Sequence, residues 1–200
     1  MVKKGLDRET VLQAAVKIAD EKGLNNVTLK ELASQLKIKT PSLYTYVDGA
    51  QGLNSMLAIY GLNCLRSEMA EAAIGLSGKD AVHAIGKAYV NFARNHPGLY
   101  EATQWVDKWQ SEKAAQISDD ILSLVAKVMS AFPQSKTDIT HIIRMFRCVL
   151  HGFASLDQNH GFGNPVSVDK SLSIAIEIML SGMQTDLTNI THQSNSGILP

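Results

Sequence analysis

Residues 26–47, NVTLKELASQLKIKTPSLYTYV, leave the chain little conformational choice. Thr28 is followed three residues later by Glu31. At that spacing a hydroxyl accepts a free first-turn N–H and a carboxylate reaches back to the cap residue's own N–H. Leu29, Leu32, Ala33 and Leu36 recur at helical spacing, so this first helix has one apolar face. Thr40-Pro41 predicts the start of a second helix, because proline loses no hydrogen bond at the first helical position. Leu43 and Val47, four apart, form its buried edge. Lys39, Thr40, Ser42, Tyr44, Thr45 and Tyr46 remain outside, an amine, hydroxyls and phenols suited to phosphates and base edges. Two short helices joined by a turn of about three or four residues make a helix-turn-helix, whose second helix enters the major groove.

The rest of the chain reads as helix throughout, with no strand pattern and no repeat. Asp7 caps a first helix with a stripe of Val11, Ala14, Ala15, Ile18 and Ala19, and Lys22-Gly23 stops it. After Asp48-Gly49 a long helix is predicted from about Gln51 to Ile74. Another starts at Ser77 or Gly78 and ends at the break Asn95-His96-Pro97-Gly98. Ser111 to Phe132, Thr137 to Asn159 and Ser167 or Asp169 to Leu187 are three further amphipathic helices. Residues 189–200 are polar and aperiodic, which predicts a frayed tail.

Composition limits the function. Apolar residues at 45% are ample for a core, and the formal net charge is zero. The charge is unevenly placed: residues 1–50 carry +2 and the remainder −2, a sign that permits DNA binding without demonstrating it. Cys64 and Cys148 are isolated from any metal spacing and read as small buried hydrophobes in a reducing, cytoplasmic setting. The opening MVKKGLDRET turns polar at once and predicts no signal peptide, and no apolar run approaches a membrane span. Histidines 83, 96, 141, 151, 160 and 192 form neither His-Glu-x-x-His nor Glu-x-x-His. Glycine loops for phosphate and Gly-x-Ser-x-Gly are absent as well, so no enzyme, cofactor or metal is predicted.

The frame Asp7…Ala14-Ala15…Gly23…Thr28…Leu32-Ala33…Leu36-x-Ile38…Leu43-Tyr44-x-Tyr46-Val47 resembles the amino-terminal domain of the TetR family of transcriptional repressors. It departs from that family's usual pattern at Lys37 (commonly glycine), near Lys39 (a serine cap) and near Ala50 (a phosphate-gripping lysine). Two later strings, Tyr89…Phe92-Ala93…His96-Pro97-Gly98-Leu99-Tyr100 and Leu150-His151-Gly152-Phe153-Ala154-Ser155-Leu156, resemble the WHG-type ligand domain of one TetR subgroup. The resemblance implies a three-helix DNA-binding domain at 1–50 and a larger helical bundle at 51–188 for ligand binding and dimerisation. It implies a homodimeric repressor that leaves double-stranded operator DNA when an apolar or aromatic small molecule binds. Thr28, Lys37, Lys39, Thr40, Ser42, Tyr44 and Tyr46 are the DNA-binding candidates, with Lys37, Lys39 and Tyr46 on the backbone and Thr40, Ser42 and Tyr44 at base edges. An activator or a partner-regulated protein of the same fold is the nearest alternative. A helical carrier or enzyme with a vestigial helix-turn-helix is the alternative of another class.

Tyr60, Tyr89, Phe92, Trp105, Trp109, Met145, Phe146 and His151 are candidates for the ligand pocket, against the simpler reading that most of them pack the core. Small residues form two stripes: Cys148, Gly152 and Ser155 on one helix, and Ser171, Ala175 and Gly182, with Ile178 between, on the last. A mid-helix glycine costs about 0.5–1 kcal/mol relative to alanine, so something should come close at Gly152 and Gly182. The stripes predict an isologous four-helix dimer contact; close packing within one subunit is the alternative.

Overall fold

The computed structural model describes residues 6–104, 111–132 and 136–183. Among them every regular element is helical, and no helix is long and apolar enough to cross a membrane. Helix α1 spans Arg8–Lys22; Asp7 Oδ1 accepts the Thr10 amide at 2.7 Å, and Gly23, at φ 87°, ends the helix. Helix α2 spans Leu29–Leu36, with Thr28 Oγ1 accepting the Glu31 amide at 3.1 Å. The expected reciprocal half of this cap does not form. The Thr28 amide donates instead to the Asn26 carbonyl at 2.9 Å, and Glu31 turns to Lys22 Nζ at 2.6 Å. That ion pair ties the start of α2 to the end of α1.

Lys37 ends α2 in the left-handed conformation, φ 55° and ψ 43°, while the Ile38 amide closes back onto the Ala33 carbonyl at 3.0 Å. The next element is shorter and tighter than the sequence predicts: Thr40–Thr45 is a 3-10 helix, with Ser42 N–H to Lys39 O at 2.9 Å and Tyr46 N–H to Leu43 O at 2.8 Å. Its anchor is Leu43, fully buried beneath α1 and α2.

Helix α3, Gly49–Ala72, runs about 36 Å at 1.5 Å per residue and joins the two ends of the molecule. Leu53, Met56 and Leu57 are buried near its start, and Leu62, Leu65 and Met69 nearer its end. Helices α4 (Gly78–Asn95), α5 (Pro97–Thr103), α6 (Glu112–Met129), α7 (Lys136–Gln158) and α8 (Val168–Met183) complete the bundle. Ser111 and Ser167 cap α6 and α8, accepting from Ala114 at 3.3 Å and Lys170 at 3.2 Å. The predicted extension of the last helix to Leu187 and the tail at 189–200 lie outside the described residues.

One hydrophobic core runs without a break from Val11 on α1 to Met183 on α8. The start of α5 comes very close to α1. A Cβ built on Gly98 would stand 1.9 Å from the Ala19 carbonyl oxygen, so no other residue fits unless the helices separate. Asp20 completes the joint: Oδ1 accepts the Leu99 amide at 2.9 Å and Oδ2 meets His96 Nδ1 at 3.1 Å. Gly98→Ala should therefore cost about 3 kcal/mol, since the atom it meets is backbone and cannot swing aside. For a chain of this size thermal unfolding should show Tm lowered by roughly 6–12 °C.

Candidate functional site

The 3-10 geometry decides which side chains of residues 40–46 face outward. At three residues per turn, positions three apart share a side. Thr40, Leu43 and Tyr46 form the inner row: Leu43 is buried, while Thr40 and Tyr46 are half-buried. Pro41 with Tyr44, and Ser42 with Thr45, form two exposed outer rows, and Tyr44 is 61% exposed. A pitch of 3.6 residues per turn would leave Thr40 and Tyr46 outside, as expected from the sequence; at three per turn both lean inward. Tyr46 is instead engaged, its phenol donating to the Leu6 carbonyl at 2.8 Å and pinning the chain ahead of α1. Thr45, absent from the expected contact set, stands beside Ser42.

Lys37 and Lys39 are exposed on either side of the turn, and among the described residues neither has an ion-pair partner. Lys17 and Lys22, by contrast, face Glu21 and Glu31. Thr28 is exposed, and although its oxygen accepts the Glu31 amide, its hydroxyl still has a hydrogen to donate. The surface thus offers two unpaired amines, small hydroxyls and one exposed phenol, with no acidic side chain between residues 37 and 47.

A second feature lies within the bundle. A cavity of about 270 Å³ opens between α3, α4, α5, α6 and α7. Leu62, Leu65 and Met69 form one wall, Ile121 and Val125 another, and Phe146 and Leu150 a third. Tyr89, Thr103, Gln104, Asp119 and Arg147 are among its polar lining. Of the expected pocket residues, Tyr89 and Phe146 border this space. Tyr60 lies elsewhere, its phenol accepting from Gln13 Nε2 at 3.2 Å, because that face of α3 packs toward α1. Phe92 is fully buried in the core against His96, with ring centres 5.5 Å apart. Met145 is exposed on the outer side of α7. Trp105 and Trp109 lie outside the described residues.

His151 does not border the cavity but connects to it. Its Nδ1 lies 2.6 Å from the Tyr100 hydroxyl, which lies 3.0 Å from the Tyr89 hydroxyl. Burial pushes the pKa of both phenols above the ordinary value, so both stay protonated. Burial, and then the nearby Arg147 charge, push the His151 pKa below its ordinary value and favour the neutral imidazole. The three groups therefore link the cavity wall to a neighbouring cleft lined by Asp20, Gly98, Tyr100 and His151, at the α1–α5 joint. Thr103, Gln104 and Arg147 were not singled out from the sequence. Arg147 carried a signal: it sits four residues after Ile143 and three before Leu150, a charge within an apolar stripe.

The small-residue stripes lie largely on the outside. Cys148, Ile178 and Gly182 are exposed, and Gly152, Ser155, Ser171 and Ala175 are half-buried. The buried-hydrophobe reading of the cysteines does not hold for Cys148, and Cys64 is only half-buried. A Cβ added at Gly152 or Gly182 would meet nothing within 4 Å, so close packing inside the subunit does not explain either glycine.

Comparison with known proteins adds relatives to this geometry. A family model described as Tetracyclin repressor-like, C-terminal domain, matches residues 82–179. The uncharacterized HTH-type transcriptional regulator YobS of Bacillus subtilis (strain 168) is 35% identical over 93% of this chain and 97% of its own length. A solved structure of a protein with unknown function from Rhodococcus sp. RHA1 superposes with a TM-score of 0.81, covering 92% of this chain and 100% of that one at 17% identity. BioQ, solved with its double-stranded DNA operator, gives a TM-score of 0.67, covering 90% and 99% at 20% identity. These two structures share the fold.

Lys37 separates folding from surface chemistry. A non-glycine residue in the left-handed region costs roughly 1–2 kcal/mol, so Lys37→Gly should raise stability by about 1 kcal/mol in denaturant unfolding. It also removes one of two unpaired amines. Its binding to duplex DNA should weaken, with a slope against log salt shallower by about one.

Proposed function

The chain belongs to the TetR family of transcriptional regulators, and from that premise we propose that it is a homodimeric repressor released from its operator by a small molecule held in the bundle cavity. The observation that carries the DNA-binding half is the outer surface of residues 37–45. Lys37 and Lys39 lack ion pairs there, and Pro41, Ser42, Tyr44 and Thr45 project from a short helix that Leu43 holds in place. The amines, and the Thr28 hydroxyl at the other end of α2, hold phosphates and set the register; Ser42, Tyr44 and Thr45 meet base edges and thymine methyls. Tyr46 acts from behind by fixing the segment ahead of α1.

Two such helices must lie about 34–36 Å apart to occupy successive major grooves, which requires a pair of subunits. The outer faces of α7 and α8 supply the surface. Met145, Leu156, Ile174 and Ile178 are exposed there, Ile178 at 69%, beside the open glycines 152 and 182. An isologous contact between these faces buries them in a four-helix interface, and obligate contacts of that kind often cover more than about 2,000 Å².

Release couples the cavity to this spacing through α5. Its last residue, Thr103, lines the cavity, Tyr100 joins Tyr89 to His151, and its first turn rests on Ala19 and Asp20 of α1. An occupant that shifts α5 also shifts α1 and the element it carries. A coupling of about 1–3 kcal/mol is typical between such sites.

Two experiments test the assignment, using DNA recovered by genome-wide pull-down of fragments bound to the protein. Ser42→Ala should change which base is preferred within the operator, at a cost of about 1–3 kcal/mol. If affinity and base preference both stay the same, the outer row is not the reading surface. Gly152→Leu should give monomers by sedimentation together with loss of operator binding, while far-UV dichroism stays native. A dimer with unchanged operator affinity would move the interface off α7.

A further inference from the structure

Resting on the reading of the cavity as the effector site, we propose that its occupant is an amphiphilic organic acid carrying a single negative charge, whose carboxylate is taken by Arg147. The cavity divides by chemistry. Leu65, Ile121, Val125 and Phe146 offer an apolar bed, and the polar groups gather at the meeting of α4, α5 and α7. Most of the neutral polar groups there already have partners within the protein. Thr103 Oγ1 donates to the Tyr100 carbonyl at 2.7 Å, Gln104 Nε2 donates to Thr103 Oγ1 at 2.8 Å, and the Tyr89 hydroxyl is shared with Tyr100 at 3.0 Å.

Arg147 differs from Arg66 and Arg94, the two arginines with carboxylate partners among the described residues. Arg66 pairs with Asp120 at 3.3 Å, and Arg94 pairs with Asp157 and with Asp169. Among the described residues no carboxylate pairs with Arg147, although it borders the cavity and stands near enough to Tyr89, Tyr100 and His151 for its charge to act on all three. A guanidinium exposed at the edge of an apolar cavity, and paired with no carboxylate among the described residues, has the planar fork of donors that a carboxylate matches with two parallel hydrogen bonds. Asp119, exposed on α6, also lines the cavity, and its like charge disfavours a phosphorylated or otherwise polyanionic head. About 270 Å³ is near the lower edge of ligand cavities, roughly 300–1,000 Å³, and suits a small amphiphile rather than a nucleotide conjugate.

Titration calorimetry of the full-length protein with decanoate and with decanol, the same chain without the charge, tests this. Decanoate should bind at least about tenfold more tightly than decanol. Arg147→Gln should weaken decanoate roughly 10- to 100-fold and decanol by less than about twofold, with Arg147→Lys in between. Asp119→Asn should tighten decanoate by about two- to threefold. Ala115→Trp, which fills the cavity from its exposed rim, should abolish binding of both compounds, and the melting temperature of each ligand-free variant confirms that it is folded. Equal affinity of the two compounds, or decanoate binding untouched by Arg147→Gln, overturns the acidic head while the cavity remains an effector site. Decanoate binding that survives Ala115→Trp places the acid outside the cavity and overturns the proposal. Binding of neither compound to the unsubstituted protein overturns both the proposal and the reading on which it rests.

Discussion

The α1–α5 joint is the constraint on which both halves of the molecule depend. Gly98 brings the start of α5 against the Ala19 carbonyl, and Asp20 holds it there through the Leu99 amide and the His96 ring. A carboxylate that accepts from backbone and faces an imidazole satisfies groups which a purely apolar contact would leave bare. Because the approach is limited by backbone atoms on one side, the two helices can shift together but have little room to slide past one another. The element that presents Ser42 and Tyr44 packs on α2, α2 packs on α1, and α1 meets the helix that ends at the cavity.

The DNA-facing element itself shows how much follows from one change in helical pitch. Six residues are too few for an α-helix to gain much from propagation, and Leu43, at the centre, is held by the core beneath it. With three residues per turn, Leu43 draws Thr40 and Tyr46 onto its own side. The outward set becomes Pro41, Ser42, Tyr44 and Thr45. Lys37 supports this arrangement at a cost, since it takes a conformation natural to glycine while keeping an amine beside the turn. That local conflict sits at the functional surface, where such conflicts are expected, because the rest of the chain agrees with itself from cap to core.

The other unresolved features of the subunit gather where a partner or a ligand would meet them. Gly152 and Gly182 have open space before them, and Ile174 and Ile178 face solvent on the same side of the bundle. Arg147 stands at the cavity edge without, among the described residues, the acidic partner that Arg66 and Arg94 possess. Within the core, by contrast, the described polar groups are nearly all satisfied, Arg66 Nε being the exception noted among the side chains. The contrast between a settled interior and three unsettled surfaces supports the division of labour between DNA, partner subunit and effector.

Much of the fold was legible in the sequence because helix ends are local. Asp7, Thr28, Ser111 and Ser167 bond to amides three residues on, and Gly23 and Pro97 act through their own backbone, so each boundary is written within a few positions. Periodicity likewise gave each helix an apolar face. What it could not give was the neighbour that face would meet. Tyr89 and Phe92 sit three apart on the same side of α4, yet one lines the cavity and the other is sealed in the core. Glu31 had two amine or amide partners within reach and took Lys22, brought near by the fold of α1. Thr40 and Tyr46 turned inward because Leu43 was claimed by the core, and Arg147 borders a cavity whose other walls come from α3 to α6. Capping and pattern are short-range properties of the chain, whereas pitch, cavity and joint are set by helices that meet only after it has folded.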